Sequence, residues 1–245
     1  MRFSNKTAIV TGAAVGIGRA VAVKLASEGA NVVALDLNEE KLASLQAEIV
    51  GMGGKIEILT CNVADEDAVN AAFAKAREAF GKIHILINNA AIWRDFSPFL
   101  ETTTKMWKTY LDVNVMSVVY CTKAALPDML ETGWGRIVNV ASVAGVYGNA
   151  EMVHYSATKG AIISMTQALA KEVAGKGVLV NAVSPGTVSP SEIADDEYVQ
   201  ESTRSYIGRT GSCKENADLI CFLASDEASY IVGQNIQIDG CRKKI

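Results

Sequence analysis

Short apolar runs recur along the chain at Thr7 to Val10, Asn31 to Leu35, Lys55 to Leu59, Ile83 to Ile87, Arg136 to Val140, Val178 to Val183 and Asn235 to Ile238. They are rich in Val and Ile and mostly unbroken instead of alternating, as parallel strands covered on both faces require. Longer segments of helical period separate them, near 16–29, 39–50, 65–80, 103–131, 153–175 and 214–224. In the second of these, Leu42, Leu45 and Ile49 share one helix face, and Asp65 is placed as the N-cap of the third. This alternation predicts an α/β fold: one doubly wound parallel sheet of seven strands inside a three-layer α/β/α sandwich. No linker, repeat or low-complexity tract interrupts the rhythm, so residues 1–245 read as a single domain. The stretch from Pro185 to Gly211, rich in Ser, Asp, Glu and Gly, does break it. A loop of that length in a compact domain is expected to bind or cover a ligand, which places a substrate loop at about 187–210.

Composition narrows the class. The 245 residues are 49% hydrophobic and 20% charged, an ordinary globular balance. Lys and Arg total 23 against 27 Asp and Glu, so nothing in the charge attracts a polyanion, and nucleic acid is excluded as an expected partner. The basic cluster Arg242, Lys243 and Lys244 reads as a solvated tail. Five scattered cysteines without a C-x-x-C pair point to reduced thiols and a cytoplasmic protein, and two histidines leave no ligand set for a metal. No signal-peptide pattern opens the chain, and charge breaks every apolar stretch before about 18 residues, so no membrane association is expected.

Chemistry enters with the run Thr11-Gly12-Ala13-Ala14-Val15-Gly16-Ile17-Gly18, between the first strand and the first helix. Glycines there let a diphosphate lie on the backbone, and the N–H groups of the helix start attract its charge. Asp36 ends the second strand, close to the separation of about 20 residues at which an acidic side chain reaches the ribose hydroxyls of a dinucleotide. Capping the helix that begins near Asn38 is the competing role for this carboxylate. Val15 is uncharged, and Leu37 and Asn38 follow Asp36, so no cation awaits a 2′-phosphate and the expected cofactor is NAD, not NADP. Tyr155 and Lys159 stand four apart in a helical segment, hence on one face. An ammonium beside a phenol favours the phenolate, lowering its pKa from about 10 toward a working pH. Ser142 follows the fifth strand at the carboxyl edge of the sheet, where open α/β folds bind ligands.

The spacing T-G-x-x-x-G-x-G, with Ser142, Tyr155 and Lys159 in order and Asn114 within Leu111-Asp-Val-Asn-Val115, resembles the short-chain dehydrogenase/reductase family of the classical, Rossmann-like type. The likeness runs from the glycine loop to Gln234-Asn-Ile-Gln-Ile-Asp-Gly240. It implies hydride exchange between a secondary alcohol or ketone and a nicotinamide. Tyr155 is then the general acid/base, Ser142 positions the substrate oxygen, Lys159 lowers the tyrosine pKa and holds the nicotinamide ribose, and Asn114 holds a water of the proton relay. Asn89 and Ala90, in the segment Asn88-Asn89-Ala90, would line the adenosine side, and Asn62 with Val63 would lie beside the adenine. Ala91 replaces a usual glycine. Pro185, Gly186 and Val188 would meet the nicotinamide, while Pro190 stands where the family often has Thr, so Ser189 or Ser191 would substitute.

The same resemblance implies a homotetramer, with the helices near 103–131 and 153–175 forming interfaces. It places a small-molecule substrate among residues 92–99, 143–154 and 187–210, where Trp93, Phe96, Tyr147, Met152, His154, Tyr198 and Tyr206 suit an apolar or cyclic alcohol, a hydroxysteroid included. Of these, Trp93, Tyr147 and Met152 join Ser142 and Tyr155 as substrate contacts. His154, next to Tyr155 but about 100° away around the helix, is assigned to structure. A reductase of 3-oxoacyl thioesters on acyl carrier protein is the alternative enzyme; Asp36 and Leu130-Glu-Thr-Gly133, in place of a basic run, weigh against it. A non-catalytic dinucleotide sensor is the alternative of another class, disfavoured by the intact catalytic set.

Overall fold

The apolar runs form seven strands: β1 (Thr7–Thr11), β2 (Asn31–Asp36), β3 (Lys55–Thr60), β4 (Ile85–Asn88), β5 (Gly135–Val140), β6 (Val178–Pro185) and β7 (Asn235–Ile238). All pair in parallel in the order β3-β2-β1-β4-β5-β6-β7. The computed structural model describes residues 1–189 and 199–243. Pro190, Ser191 and Tyr198 of the expected cofactor and substrate segments, and Lys244 of the basic tail, lie outside the described residues. Strands β1, β4, β5 and β6 are buried throughout, their few polar side chains included, whereas the edge strands β3 and β7 are partly open.

Alternate residues of each strand feed two cores. Ala8, Val10, Val32 and Ala34 meet α1 (Gly16–Ser27), α2 (Glu39–Gly51) and, further along the sheet, α8 (Cys213–Leu223), through Leu25, Leu42, Leu45, Ile220 and Leu223. Ile9, Val33, Leu35 and Leu86 meet the opposite layer, including Phe73 of α3 (Glu66–Phe80). That layer also holds α4 (Thr104–Leu111), α5 (Ser117–Thr132) and α7 (Val153–Val173), while the one-turn α6 (Ala144–Tyr147) follows β5. Caps fix where several helices start: the side chains of Asn38, Asp65, Thr103 and Ser212 each accept first-turn N–H groups.

The helix expected over 103–131 is interrupted. Between α4 and α5, residues Asp112–Met116 form a π turn. Its physical reason is tertiary: the buried Asn114 amide is pegged to the chain after β4, and satisfying those bonds takes one extra residue in the turn. The run expected from Ile83 begins its ladder only at Ile85. The basic tail is not freely solvated either. Arg242 donates to Asn149 Oδ1 at 2.7 Å, and the Lys243 ammonium lies 5.4 Å from the Tyr206 ring centre.

Candidate active site

Strand order reverses direction between β1 and β4, and the crevice at their carboxyl ends is where a doubly wound sheet receives a ligand. The glycine loop crosses it. Gly12 and Gly16 have φ of +63° and +59°, which L side chains rarely adopt. A Cβ on Gly12 would lie 2.8 Å from Ala90 Cα, and one on Gly18 would lie 2.1 Å from the Gly12 carbonyl oxygen, so the loop must fold flat against both. Thr11 organises the neighbourhood: its hydroxyl accepts the Asn89 and Ala90 N–H groups at 3.0 and 3.1 Å. Asn89 Nδ2 donates to the Thr11 and Gly12 carbonyls, both at 3.0 Å. The following helix α1 has Val15 at its N-cap, no side-chain cap and no acid in its first turn. Its leading N–H groups therefore remain available to a diphosphate, and the donor set fits that group. Ile17 is half-buried at the same helix start.

Asp36 does not cap α2, since Asn38 does. One Asp36 oxygen accepts the Ala14 N–H and the other the Asn38 N–H, each at 3.0 Å, which fixes the carboxylate beside the glycine loop. Leu37 is exposed there. A cation does stand close, contrary to the sequence expectation: Arg19 reaches the Ala14 carbonyl at 3.5 Å, although Glu48 pairs with its guanidinium at 2.5 Å. It lies on α1, seventeen positions before Asp36, where adjacency in sequence gives no hint of it. Asn62 uses its side-chain oxygen to accept the Ala64 N–H, and Val63 is buried behind it.

The catalytic candidates converge at the ends of β4 and β5. Ser142 Oγ accepts the Ala144 N–H at 3.1 Å, starting the turn into α6, and the Ser142 hydroxyl lies beside the Tyr155 phenol on α7. Contact between these elements depends on Gly145, where a Cβ would lie 2.6 Å from the Lys159 carbonyl carbon. Lys159 is buried and its Nζ donates to the Val140 carbonyl at 2.7 Å, 5.9 Å from the Tyr155 ring centre. Burial pushes the Lys159 ammonium down to about 8. Burial also raises the Tyr155 phenol, with the Ser142 hydroxyl opposing the rise, so desolvation outweighs the lowering expected from a neighbouring lysine.

Asn114 is committed to the scaffold. Its Oδ1 accepts the Ile92 N–H at 2.8 Å, and its Nδ2 donates to the Ile92 carbonyl at 2.9 Å and to Thr158 Oγ1 at 3.2 Å. Thr158 in turn donates to the Tyr155 carbonyl at 2.8 Å. Beneath them Asn88 Nδ2 donates to Asn139 Oδ1 at 2.8 Å, and Asn139 Nδ2 to Thr166 Oγ1 at 2.9 Å, tying β4 and β5 to α7 through buried polar groups. Thr11, Gly145, Thr158 and Arg19 are contributions that sequence reasoning missed; only Thr11, directly before the first motif glycine, carried a local signal.

Pro185 O accepts the Val143 N–H at 3.1 Å, which brings the turn after β6 beside the Ser142 loop, and Gly186 packs on Asp239, where a Cβ would lie 2.8 Å from its Cα. Val188 bridges to Gly211, and Ser189, buried, shares a hydrogen bond with Thr210 at 2.8 Å. Among the substrate candidates Trp93 and Tyr147 are half-exposed, with Arg94 over the Trp93 ring and the Tyr147 hydroxyl donating to Gln237 at 2.6 Å. Phe96 and Tyr206 are exposed, but Met152 is buried and contributes packing below the surface. His154 is also buried, edge-on to the Tyr110 ring at 4.2 Å between centres, in keeping with its structural assignment. Among the described residues no group of His, Cys, Asp and Glu could hold a metal, and no helix is long and apolar enough to cross a membrane.

Comparison with known proteins gives concordant likenesses. Residues 12–241 match a family model described as enoyl-(acyl carrier protein) reductase. The chain is 41% identical over 243 residues to a 3-oxoacyl acyl-carrier-protein reductase of Thermotoga maritima, covering 98% of each. It is 37% identical to cyclohexanol dehydrogenase of an Acinetobacter species, covering 98% of this chain and 95% of that one. An NAD+-bound xylitol dehydrogenase structure superposes with a TM-score of 0.90 at 32% identity, over 98% of this chain and 100% of the other.

Proposed function

The chain belongs to the short-chain dehydrogenase/reductase family, an oxidoreductase acting on alcohol and ketone groups with a nicotinamide cofactor, and on that basis we propose that it is an NAD-linked dehydrogenase of apolar or cyclic secondary alcohols. The observation that carries the reading is the placement of Ser142 and the buried Lys159 beside Tyr155, at the carboxyl edge of the sheet. When bound, the dinucleotide supplies the hydride acceptor. Gly12, Val15, Gly16, Ile17 and Gly18 would hold its diphosphate, and Asp36 and Leu37 its adenosine ribose. Asn62, Val63, Asn89 and Ala90 would flank the adenosine, and Pro185, Gly186 and Val188 would lie against the nicotinamide. On the substrate side Tyr155, as the phenolate, takes the alcohol proton as the C–H bond breaks and becomes the neutral phenol, Ser142 donates a hydrogen bond to the same oxygen, and Lys159 keeps a positive charge near the phenolate before it is protonated. Asn114 fixes the turn from which a water-borne relay continues.

NAD over NADP is supported by the Asp36 carboxylate beside Ala14 and by the pairing of Arg19 with Glu48. The exposed Trp93 and Tyr147 and the likeness to cyclohexanol dehydrogenase support a cyclic or apolar alcohol. A homotetramer, as the family likeness implies, and a cytoplasmic location, in line with five scattered cysteines lacking a C-x-x-C pair, complete the proposal. The second reading, reduction of 3-oxoacyl thioesters, is favoured by the 41% identity to the Thermotoga maritima reductase. Initial rates with cyclohexanol, hydroxysteroids and sugar alcohols, using NAD and NADP, separate the two when set beside reduction of a 3-oxoacyl thioester. The proposal expects NAD-linked oxidation of a cyclic alcohol to have the highest kcat/KM; turnover confined to the thioester with NADPH would replace it with the second reading.

A further inference from the structure

We propose that Arg242 is a positioning residue of the substrate cleft, joining the segment around 204–207 to the loop that leads into the Tyr155 helix. This assignment rests on the alcohol-dehydrogenase reading, because the walls it joins are that reading's substrate walls. After β7 the chain doubles back through two residues of positive φ, Gly240 at +62° and Cys241 at +58°. A left-handed conformation costs a non-glycine residue stability, so something must hold Cys241 there. Part of the restraint is local: Asp239 Oδ1 accepts the Cys241 N–H at 3.0 Å.

The rest comes from pairing. Tyr206 N–H donates to the Cys241 carbonyl at 2.9 Å, Ile207 N–H to the Gly240 carbonyl at 3.1 Å, and Lys243 N–H to the Arg204 carbonyl at 2.9 Å. Ser205 and Arg242 thereby form an antiparallel bridge, and residues 240–243 serve as a short strand for residues 204–207. The Arg242 guanidinium extends from that pairing to Asn149 Oδ1 at 2.7 Å, a charge-assisted bond to a residue 93 positions away. Asn149 is itself fixed to the start of α7. Its N–H donates to Ser156 Oγ at 3.1 Å, its carbonyl accepts the Met152 N–H at 3.2 Å, and Ser156 follows Tyr155 directly.

Two further contacts extend the clasp. The Ser97 N–H donates to the Glu151 carbonyl at 2.8 Å, so the 92–99 segment is attached to the same loop. Arg242 also lines an open cleft with Gly186 and Thr187, the turn assigned to the nicotinamide side. Arg209 lines it too, but its two terminal nitrogens are held by Glu215 at 3.0 and 2.6 Å, which leaves Arg242 to make the bond to the catalytic loop. The Arg242 side chain and the short strand that carries it thus join two walls of the cleft, the third being attached to the same loop through Glu151, without touching the reacting atoms.

The test compares the full chain with Arg242→Ala, Arg242→Lys, Asn149→Ala and the Arg242→Ala/Asn149→Ala double variant. Amide hydrogen exchange is followed over 204–207 and 149–156, and steady-state oxidation is measured with cyclohexanol or the best alcohol of the panel. Losing one charge-assisted hydrogen bond is expected to speed exchange in both segments by about tenfold and raise the alcohol KM by about tenfold, with kcat and the NAD KM within about twofold. Lysine, which can still donate to Asn149, is expected to restore most of the loss, and the double variant to be no worse than either single one. Unchanged exchange in Arg242→Ala, equal defects in the Ala and Lys variants, or independent additivity of the two single changes would each overturn the proposal. A wild-type protein that oxidises no alcohol counts against the functional reading instead, and the exchange arm then still decides whether the clasp exists.

Discussion

Lys159 meets opposing demands, because the position that makes it useful also makes its charge costly. Its folded pKa is near 8 against 10.5 in the unfolded chain, so between those values the unfolded state binds the proton and the folded state does not. Stability from this group therefore rises as pH climbs from about 8 to about 10.5, while the charge that in the proposed mechanism supports a Tyr155 phenolate is being lost. Lys159→Met should raise stability near neutral pH by about 1–2 kcal/mol in chemical denaturation while abolishing turnover. Lys159→Arg should shift the alkaline limb of kcat/KM to higher pH, because a guanidinium stays charged, and profiles from about pH 6 to 10 check this. Asp36 admits a similar test. Asp36→Ala removes a carboxylate and leaves Arg19 nearby, so the ratio of kcat/KM for NAD over that for NADP should fall by tenfold or more, on the order expected for losing one ribose contact and one repulsion.

Among the elements, α6 and the π turn show what local pattern reveals and what it leaves out. The glycine loop, the Tyr155/Lys159 face and most element bounds were legible, because each rests on spacing within a few residues. The π turn was not: Leu111-Asp-Val-Asn-Val115 is an acceptable helix in isolation, and only the pegs from Asn114 to Ile92, 22 positions away, force the extra residue. The tail was misread for the same reason, since three adjacent cations look solvated until residues 204–207 supply a partner strand. Gly145 offers a test at this scale. Gly145→Ala places a methyl 2.6 Å from the Lys159 carbonyl carbon, which should cost about 1–3 kcal/mol of stability and move Ser142 away from Tyr155. Turnover should then drop by more than dinucleotide affinity, because the glycine loop and Asp36 at the other end of the crevice are untouched; equilibrium binding beside initial rates measures both.

For the whole molecule, the sheet decides where chemistry can happen. The uninterrupted Val and Ile runs announced a sheet covered on both faces, and their order puts the ends of β1, β4, β5 and β6 along one edge. Both cores hold that edge still; Phe73→Ala, in one of them, should cost about 3–5 kcal/mol by thermal or denaturant unfolding without changing which alcohol is preferred. Segment pairings across the cleft were beyond sequence reading, because they join stretches far apart in the chain through single hydrogen bonds. The central claim is that Tyr155 is the acid/base of an NAD-linked alcohol oxidation. It is tested most directly by measuring NADH formation from the preferred alcohol with Tyr155→Phe alongside NAD affinity. We predict a fall in kcat of about a thousandfold with affinity within about twofold; a variant that retains a tenth or more of the wild-type rate would contradict the claim.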